Sequence, residues 1–335
     1  MSTSQDLAAA ALAQLMREQS AALRQDDQAE PLSVDDALSH GAGLRGKVVV
    51  VTGSGAGFGA SYARTVAKFG AKLVLSDRNE GGVLAVAEEI KAAGGEATAI
   101  KCDVTKWEDQ VKMFRHGVNT FGHIDVVVAN AGISEPHPLM DLTEGEDGEP
   151  QEPKMTTLDV NVKGVMYTIK LAFFHLKNNP VRDGKCITIL GSLASFFGIP
   201  GAPAYTTSKH AVLGLMRSLA YDADMYNITI NTVHPFFVLT NIFSPIVNLL
   251  LAGIPLPTVD EVVATMVAAS SMPRSSGAAF VVDFKGILKV PRHLHETGSY
   301  YRVFMDRATG AMSTAKWLAD SVRALISAVR RGRLA

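Results

Sequence analysis

Only two of the 335 residues are cysteine, Cys102 and Cys186, and each stands alone inside an apolar, strand-like run. That scarcity and spacing argue against a disulfide framework, a Cys-x-x-Cys redox pair or a Cys/His metal cluster, and both thiols are expected as small buried side chains. No metal site is expected. Charge of one sign is lacking too, since 32 Lys and Arg stand against 33 Asp and Glu, a net of -1. Such a balance gives no electrostatic reason to expect a nucleic acid partner. Long uninterrupted apolar runs are also missing. The longest uncharged stretch, 235–259, is crossed by Pro235, Pro245, Pro255 and Pro257 and by Asn241 and Asn248, so it does not read as an integral membrane segment. The N-terminus has no basic start, and Asp6, Arg17 and Glu18 interrupt it, which excludes a secretory signal. These absences, with the low cysteine content, point to a cytoplasmic location.

What is there suits a packed globule, with 47% hydrophobic residues. Apolar, β-branched runs at 48–51, 73–76, 97–102, 124–129, 186–190, 228–233 and 279–282 alternate with helical stretches. The runs lack a clean period of two, as expected of strands whose two faces are both covered by helices. Repeated strand–helix units imply an α/β fold built on one doubly wound, seven-stranded parallel sheet, the Rossmann arrangement. Residues 46–290 are read as this domain. Residues 1–45 are read as an N-terminal helical extension, with Leu12, Leu15, Met16 and Leu23 on one face until Pro31 ends the pattern. Residues 291–335 are read as a C-terminal helical extension. There Leu318, Val322, Leu325, Ile326 and Val329 share a face ahead of Arg330, Arg331 and Arg333. The acidic stretch 141–153 is expected as a solvated surface loop.

The first apolar run leads directly into Thr52, Gly53, Ser54, Gly55, Ala56, Gly57, Phe58 and Gly59, and a helical pattern follows. A glycine pattern alone is weak, but between a strand and a helix it is the dinucleotide fingerprint. Glycine lets the backbone approach a ligand, and the free N–H groups and positive dipole end of the helix receive a pyrophosphate. The next strand ends at Asp77, where a carboxylate accepts hydrogen bonds from the adenine-side ribose and repels a 2′-phosphate. The expected cofactor is therefore NAD. Arg78 is the feature that favours NADP, since it lies where it could meet that phosphate.

Further along stand Asn161, Ser192, Tyr205 and Lys209. Tyr and Lys four apart share one helical face, and their position downstream of a strand ending in Gly191-Ser192 gives the pair its meaning. With the glycine loop, Cys102-Asp103-Val104 and Asn130-Ala131-Gly132, these motifs make the chain resemble the short-chain dehydrogenase/reductase family over 46–282. The stretch 198–241 is most similar to NAD-linked alcohol dehydrogenases of the hydroxyprostaglandin dehydrogenase type.

The resemblance implies Tyr205 as general acid/base, Ser192 on the substrate oxygen, Lys209 on the nicotinamide ribose and Asn161 anchoring a water that leads to Lys209. It further implies Asp103 and Val104 at the adenine, Asn130 bracing neighbouring strands, Ala131 and Gly132 beside the cofactor, and Pro235, Val238 and Thr240 near the carboxamide. Where the family usually has Pro-Gly, this chain has Pro235-Phe236, and Phe does not easily take glycine-only conformations. A free tyrosine, with a pKa of about 10, must be made more acidic by about 3–4 kcal/mol to work near neutrality. A cation about 4 Å away at an effective dielectric of about 20 supplies about 4 kcal/mol, so Lys209 with an oxidised nicotinamide is adequate.

The family closes over its substrate after Phe236, which makes 236–275 the expected lid. Phe236, Phe237, Leu239, Ile242, Phe243, Ile246, Val247 and the leucines at 249–251 carry no charge there, and Phe196, Phe197 and Ile199 are expected to add to the wall. Such a lid suits a small-molecule lipophilic alcohol or ketone. Family habit implies a homodimer or homotetramer formed through the helices bearing Asn161 and Tyr205. Competing readings are an NADP-linked carbonyl reductase and a catalytically silent nucleotide-binding scaffold.

Overall fold

The computed structural model describes residues 29–180, 183–238, 256–273, 275–292 and 294. Both expected terminal helices, Thr240, and the lid residues Leu239, Ile242, Phe243, Ile246, Val247 and 249–251 lie outside the described residues.

A single sheet organises the chain. Its seven parallel strands are β2 (Val48–Thr52), β3 (Lys72–Asp77), β4 (Glu96–Lys101), β5 (Val126–Ala129), β6 (Cys186–Leu190), β7 (Thr229–Pro235) and β8 (Ala279–Asp283). Every residue of β2 and β5 is buried, because successive side chains point to opposite faces and both faces are covered. Val49 and Val51 enter a core with α2 (Gly57–Lys68), α3 (Glu80–Ala92) and α7 (Val259–Ser271). Val48 and Val50 enter the opposite core, with α4 (Trp107–Phe121), α5 (Val165–Lys177) and α6 (Pro203–Met225). The hidden period of two is thus real, and it is masked in the sequence because both faces are apolar.

Two further strands extend the sheet beyond the expected seven. After a turn at Gly286 (φ 97°), β9 (Gly286–Val290) folds back antiparallel on β8, and β1 (Glu30–Leu32) pairs antiparallel with β9. Pro31, expected only to end a helical pattern, sits in this edge strand, where a missing N–H costs little. The Lys289 ammonium meets the Glu30 carboxylate at 2.9 Å and adds charge at the edge. A capping box between Ser33 and Asp36 then starts α1 (Val34–Ser39), which packs on α7.

The strand order is β1-β9-β8-β7-β6-β5-β2-β3-β4. From β2 the chain moves outward through β3 and β4, then returns to place β5 on the other side of β2. That reversal opens a crevice at the carboxyl ends of β2 and β5, the usual place for a ligand in such sheets. Buried Asp125 pins the base of this junction, accepting the Val48 N–H at 2.8 Å and the Asn179 side-chain amide at 2.9 Å, with the Lys47 ammonium and the His123 imidazole beside it. The acidic stretch 141–153 is exposed almost throughout, as expected of a solvated loop. Among the described residues no helix is long and apolar enough to cross a membrane.

Candidate active site

A cleft of about 1360 Å³ lies over the carboxyl ends of β2, β3, β5, β6 and β7. Its first wall is the glycine loop. Gly53 has φ 64°, and a Cβ there would lie 2.8 Å from the Ala131 Cα. At Gly59 a Cβ would lie 2.3 Å from the Gly53 carbonyl oxygen and 2.5 Å from the Asn130 amide nitrogen, so only glycine lets α2 come this close to β2. The N-cap residue of α2, Ala56, supplies no side-chain acceptor, which leaves first-turn N–H donors facing the cleft. That donor set fits a pyrophosphate.

Gly53, Gly57 and Phe58 line the cleft, whereas Thr52, Ser54 and Gly59 do not. These three hold the loop from behind. Thr52 Oγ1 accepts the N–H groups of Asn130 and Ala131 at 3.1 Å each, and Asn130 Nδ2 donates to the Thr52 and Gly53 carbonyls at 2.9 Å. Ser54 Oγ accepts the Ser76 N–H at 3.0 Å. Asp77 stands on the wall with its carboxylate fixed, Oδ2 accepting the Gly55 N–H at 3.0 Å and Oδ1 the Asn79 N–H at 2.9 Å. Arg78, Asp103, Val104, Asn130, Ala131 and Gly132 line the same end.

At the other end, across the switch point, Ser192, Tyr205 and Lys209 share the cleft. Ser192 follows β6; its hydroxyl accepts the Ala194 N–H at 3.1 Å and lies near enough to the Tyr205 phenol to favour its ionised form. Lys209, one turn beyond Tyr205 on α6, is buried, donates to the Leu190 carbonyl at 2.9 Å and sits 5.6 Å from the Tyr205 ring centroid. The expected acidification of Tyr205 is not provided by these groups alone. Burial raises the phenol above its ordinary value of 10.0, and the Ser192 hydroxyl only opposes this. Burial also pushes Lys209 down to about 8, so its positive charge is itself diminished near that pH.

Asn161 lies in a π-helical turn, Asp159–Gly164, just before α5, and is 1% exposed. The wide turn aims its side chain inward, where the amide is spent on Ile133 and Ser208 rather than on the cleft. Its observed work is to hold neighbouring segments together. Phe197, Ile199, Pro235, Phe236, Phe237 and Val238 form an apolar wall, with the rings of Phe236 and Phe237 edge to face at 5.1 Å. Phe196 departs from expectation. It turns away from the cleft and packs against the His234 ring at 4.7 Å. Phe236 takes ordinary backbone, since among the described residues only Asn227 combines a side chain with positive φ; its N–H donates to the Val282 carbonyl at 2.8 Å.

Two residues absent from the sequence reading support the reacting end. Buried His234 donates from Nδ1 to the Ser192 carbonyl at 3.0 Å and hydrogen-bonds the Thr232 hydroxyl through Nε2 at 2.8 Å. Glu135 lines the cleft and accepts the Tyr205 N–H at 2.9 Å. Neither belongs to a spacing pattern, because the contacts that tie them to the reacting end, His234 to Ser192 and Glu135 to Tyr205, span 42 and 70 positions in sequence. Both cysteines are buried as expected, and burial pushes each thiol up to about 12, far from a nucleophile's range.

A family model described as short chain dehydrogenase matches residues 47–248. A short-chain dehydrogenase/reductase of Penicillium rubens is 34% identical over 214 residues, which cover 63% of this chain and 61% of that relative. An L-fucose dehydrogenase of Oryctolagus cuniculus is 34% identical over 248 residues, 73% of this chain and 81% of that protein. A solved 7α-hydroxysteroid dehydrogenase, complexed with NADH and 7-oxo glycochenodeoxycholic acid, superposes with a TM-score of 0.64 at 26% identity, covering 74% of this chain and 97% of that one. The matched stretch carries the glycine loop, the Asn130 turn, Ser192, Tyr205 and Lys209, and the chain belongs to the short-chain dehydrogenase/reductase family of oxidoreductases.

Proposed function

We propose that the protein transfers a hydride between NAD(H) and a lipophilic secondary alcohol or ketone, with Tyr205 as general acid/base. The observation that carries this reading is the convergence of Ser192, Tyr205 and Lys209 on one cleft whose far wall is the glycine loop and Asp77. In the oxidising direction Ser192 holds the substrate oxygen and Tyr205 accepts its hydroxyl proton. A bound oxidised nicotinamide supplies the hydride acceptor and one positive charge. Lys209 adds charge beside the phenol and holds the nicotinamide ribose. The glycine loop takes the pyrophosphate, Asp103 and Val104 the adenine, and Pro235, Val238 and Thr240 the carboxamide.

NAD is favoured because the Asp77 carboxylate is fixed on the cleft wall at the end of β3, where it would accept a ribose hydroxyl and repel a 2′-phosphate. Arg78 on the same wall supports a second reading, an NADP-linked carbonyl reductase. The gathering of Ser192, Tyr205 and Lys209 on one cleft argues against a silent scaffold. Named relatives include a steroid and a sugar dehydrogenase; the rings of Phe197, Phe236 and Phe237 favour the apolar class. The lid expected over 236–275 is cut back, because Val259–Ser271 is the core helix α7, buried against the sheet. A second copy is proposed to cover α5, where Met166 and Phe174 are exposed. Initial rates of NADH formation across bulky apolar secondary alcohols, polyols and sugars test the reading. Faster turnover of the apolar alcohols with NAD is expected; preference for NADP, or for polyols and sugars, would overturn it.

A further inference from the structure

Tyr205 is the third residue of α6, and this helix starts without a cap of its own. Its N-cap residue, Ala202, offers no side-chain acceptor, and Pro203 occupies the first position. First-turn N–H groups need acceptors. The Tyr205 N–H finds one 70 positions away in sequence, in Glu135 Oε2 at 2.9 Å. The second carboxylate oxygen, Oε1, accepts the Leu139 N–H at 2.9 Å. Glu135 thus caps a helix to which it does not belong, at the residue that carries the chemistry.

The carbonyl side of Tyr205 is held from the same direction. Ser208 Oγ donates to the Tyr205 carbonyl at 2.7 Å, and Asn161 Nδ2 donates to Ser208 Oγ at 3.0 Å. Asn161 in turn exchanges two bonds with the Ile133 backbone, each 2.9 Å. Ile133 and Glu135 belong to one short segment beyond β5, so the Tyr205 backbone is gripped on both sides by residues 133–135. Ile133, Ser134 and Glu135 also line the cleft that holds Ser192 and Tyr205.

We propose that Glu135 is a positioning residue for the acid/base. Its carboxylate fixes the first turn of α6, and with it the aim of the Tyr205 phenol at the substrate oxygen; its charge also suits the positive end of the helix. Proton transfer depends steeply on such aim, since a misplacement of about 1 Å can cost about a hundredfold. This inference rests on Tyr205 being the acid/base.

The test compares wild-type protein, Glu135→Ala, Glu135→Gln and Tyr205→Phe in steady-state kinetics, NAD binding by fluorescence titration, thermal melts and solvent deuterium isotope effects. Glu135→Gln keeps one acceptor for the Tyr205 N–H in a side chain of the same size. The expected result is a fall in kcat of at least about tenfold for Glu135→Ala, with KM and NAD affinity within about twofold and a larger solvent isotope effect on kcat. Glu135→Gln is expected to recover most of the loss. An unchanged kcat in Glu135→Ala would overturn the inference. So would equal losses in kcat and NAD affinity that track the melting temperature and are not rescued by Gln. Retained turnover in Tyr205→Phe would instead overturn the reading beneath it, while a Tyr205-dependent kcat indifferent to Glu135 removes the positioning role alone.

Discussion

At the β2–β3 end of the cleft the loop that faces a ligand is main chain, held by Thr52, Ser54 and Asn130 from behind. At the β6–β7 end the atoms proposed to do the chemistry belong to the side chains of Ser192, Tyr205 and Lys209, carried by neighbours such as His234, Asn161 and Glu135. The two ends therefore fail differently. A main-chain wall tolerates exchange of many side chains but not an added Cβ in the wrong place. A side-chain wall loses its chemistry with one atom while its shape survives.

The sharpest way to separate the ends is Tyr205→Phe, which removes only the phenol oxygen. Turnover is expected to fall about 10²–10⁴-fold, with NAD binding by calorimetry nearly unchanged. The mirror experiment is Gly59→Ala. Its Cβ would overlap the Gly53 carbonyl oxygen at 2.3 Å, and main chain cannot swing aside as a long side chain can. Displacement of the loop should weaken NAD binding at least about tenfold and destabilise the fold by about 1–3 kcal/mol; both a titration and a melt report it.

Asp77 is the exception at the main-chain end, a side chain proposed to set cofactor choice. Asp77→Ala removes hydrogen bonds to a ribose and the repulsion of a phosphate, each worth about 1.5–3 kcal/mol where a charge takes part. The ratio of kcat/KM for NADP over NAD is expected to rise about tenfold or more. An unchanged ratio would place cofactor choice elsewhere on that wall.

The smallest effect concerns stability, and its sign is informative. Burial holds Lys209 at about 8, below its ordinary 10.5. Below pH 8 the folded protein carries a buried charge that the unfolded chain carries in water, a penalty on the order of 3 kcal/mol. The unfolded state binds more protons between about pH 8 and 10.5, so this penalty is relieved as pH rises through that window. One lost hydrogen bond to Leu190 costs only about 1 kcal/mol. Lys209→Met should therefore melt a few degrees higher than wild type at pH 7, with the gain shrinking towards pH 10, while turnover is lost.

The seven parallel strands were legible because each is an apolar run bounded by helical pattern. The edge was not. Glu30–Leu32 is only three residues long with Pro31 at its centre, and Gly286–Val290 gains meaning only as the hairpin partner of β8. At the site, residues with family spacing could be read directly. Glu135 and His234 could not, because their partners lie 70 and 42 positions away in sequence and only the folded sheet brings them together. Adjacent Phe196 and Phe197 show the same limit: one faces His234 and the other the cleft, and composition cannot tell them apart.

Everything proposed for the reacting end turns on a phenol that the folded protein alone makes less acidic than usual and that must become acidic when NAD arrives. An ultraviolet phenolate titration, taken as the difference between wild-type protein and Tyr205→Phe, measures this directly with and without oxidised NAD. Wild-type protein is expected to ionise Tyr205 above pH 10 on its own and much nearer neutrality with NAD bound. A Tyr205 ionisation that stays at the same pH on adding saturating NAD would contradict its role as the acid/base.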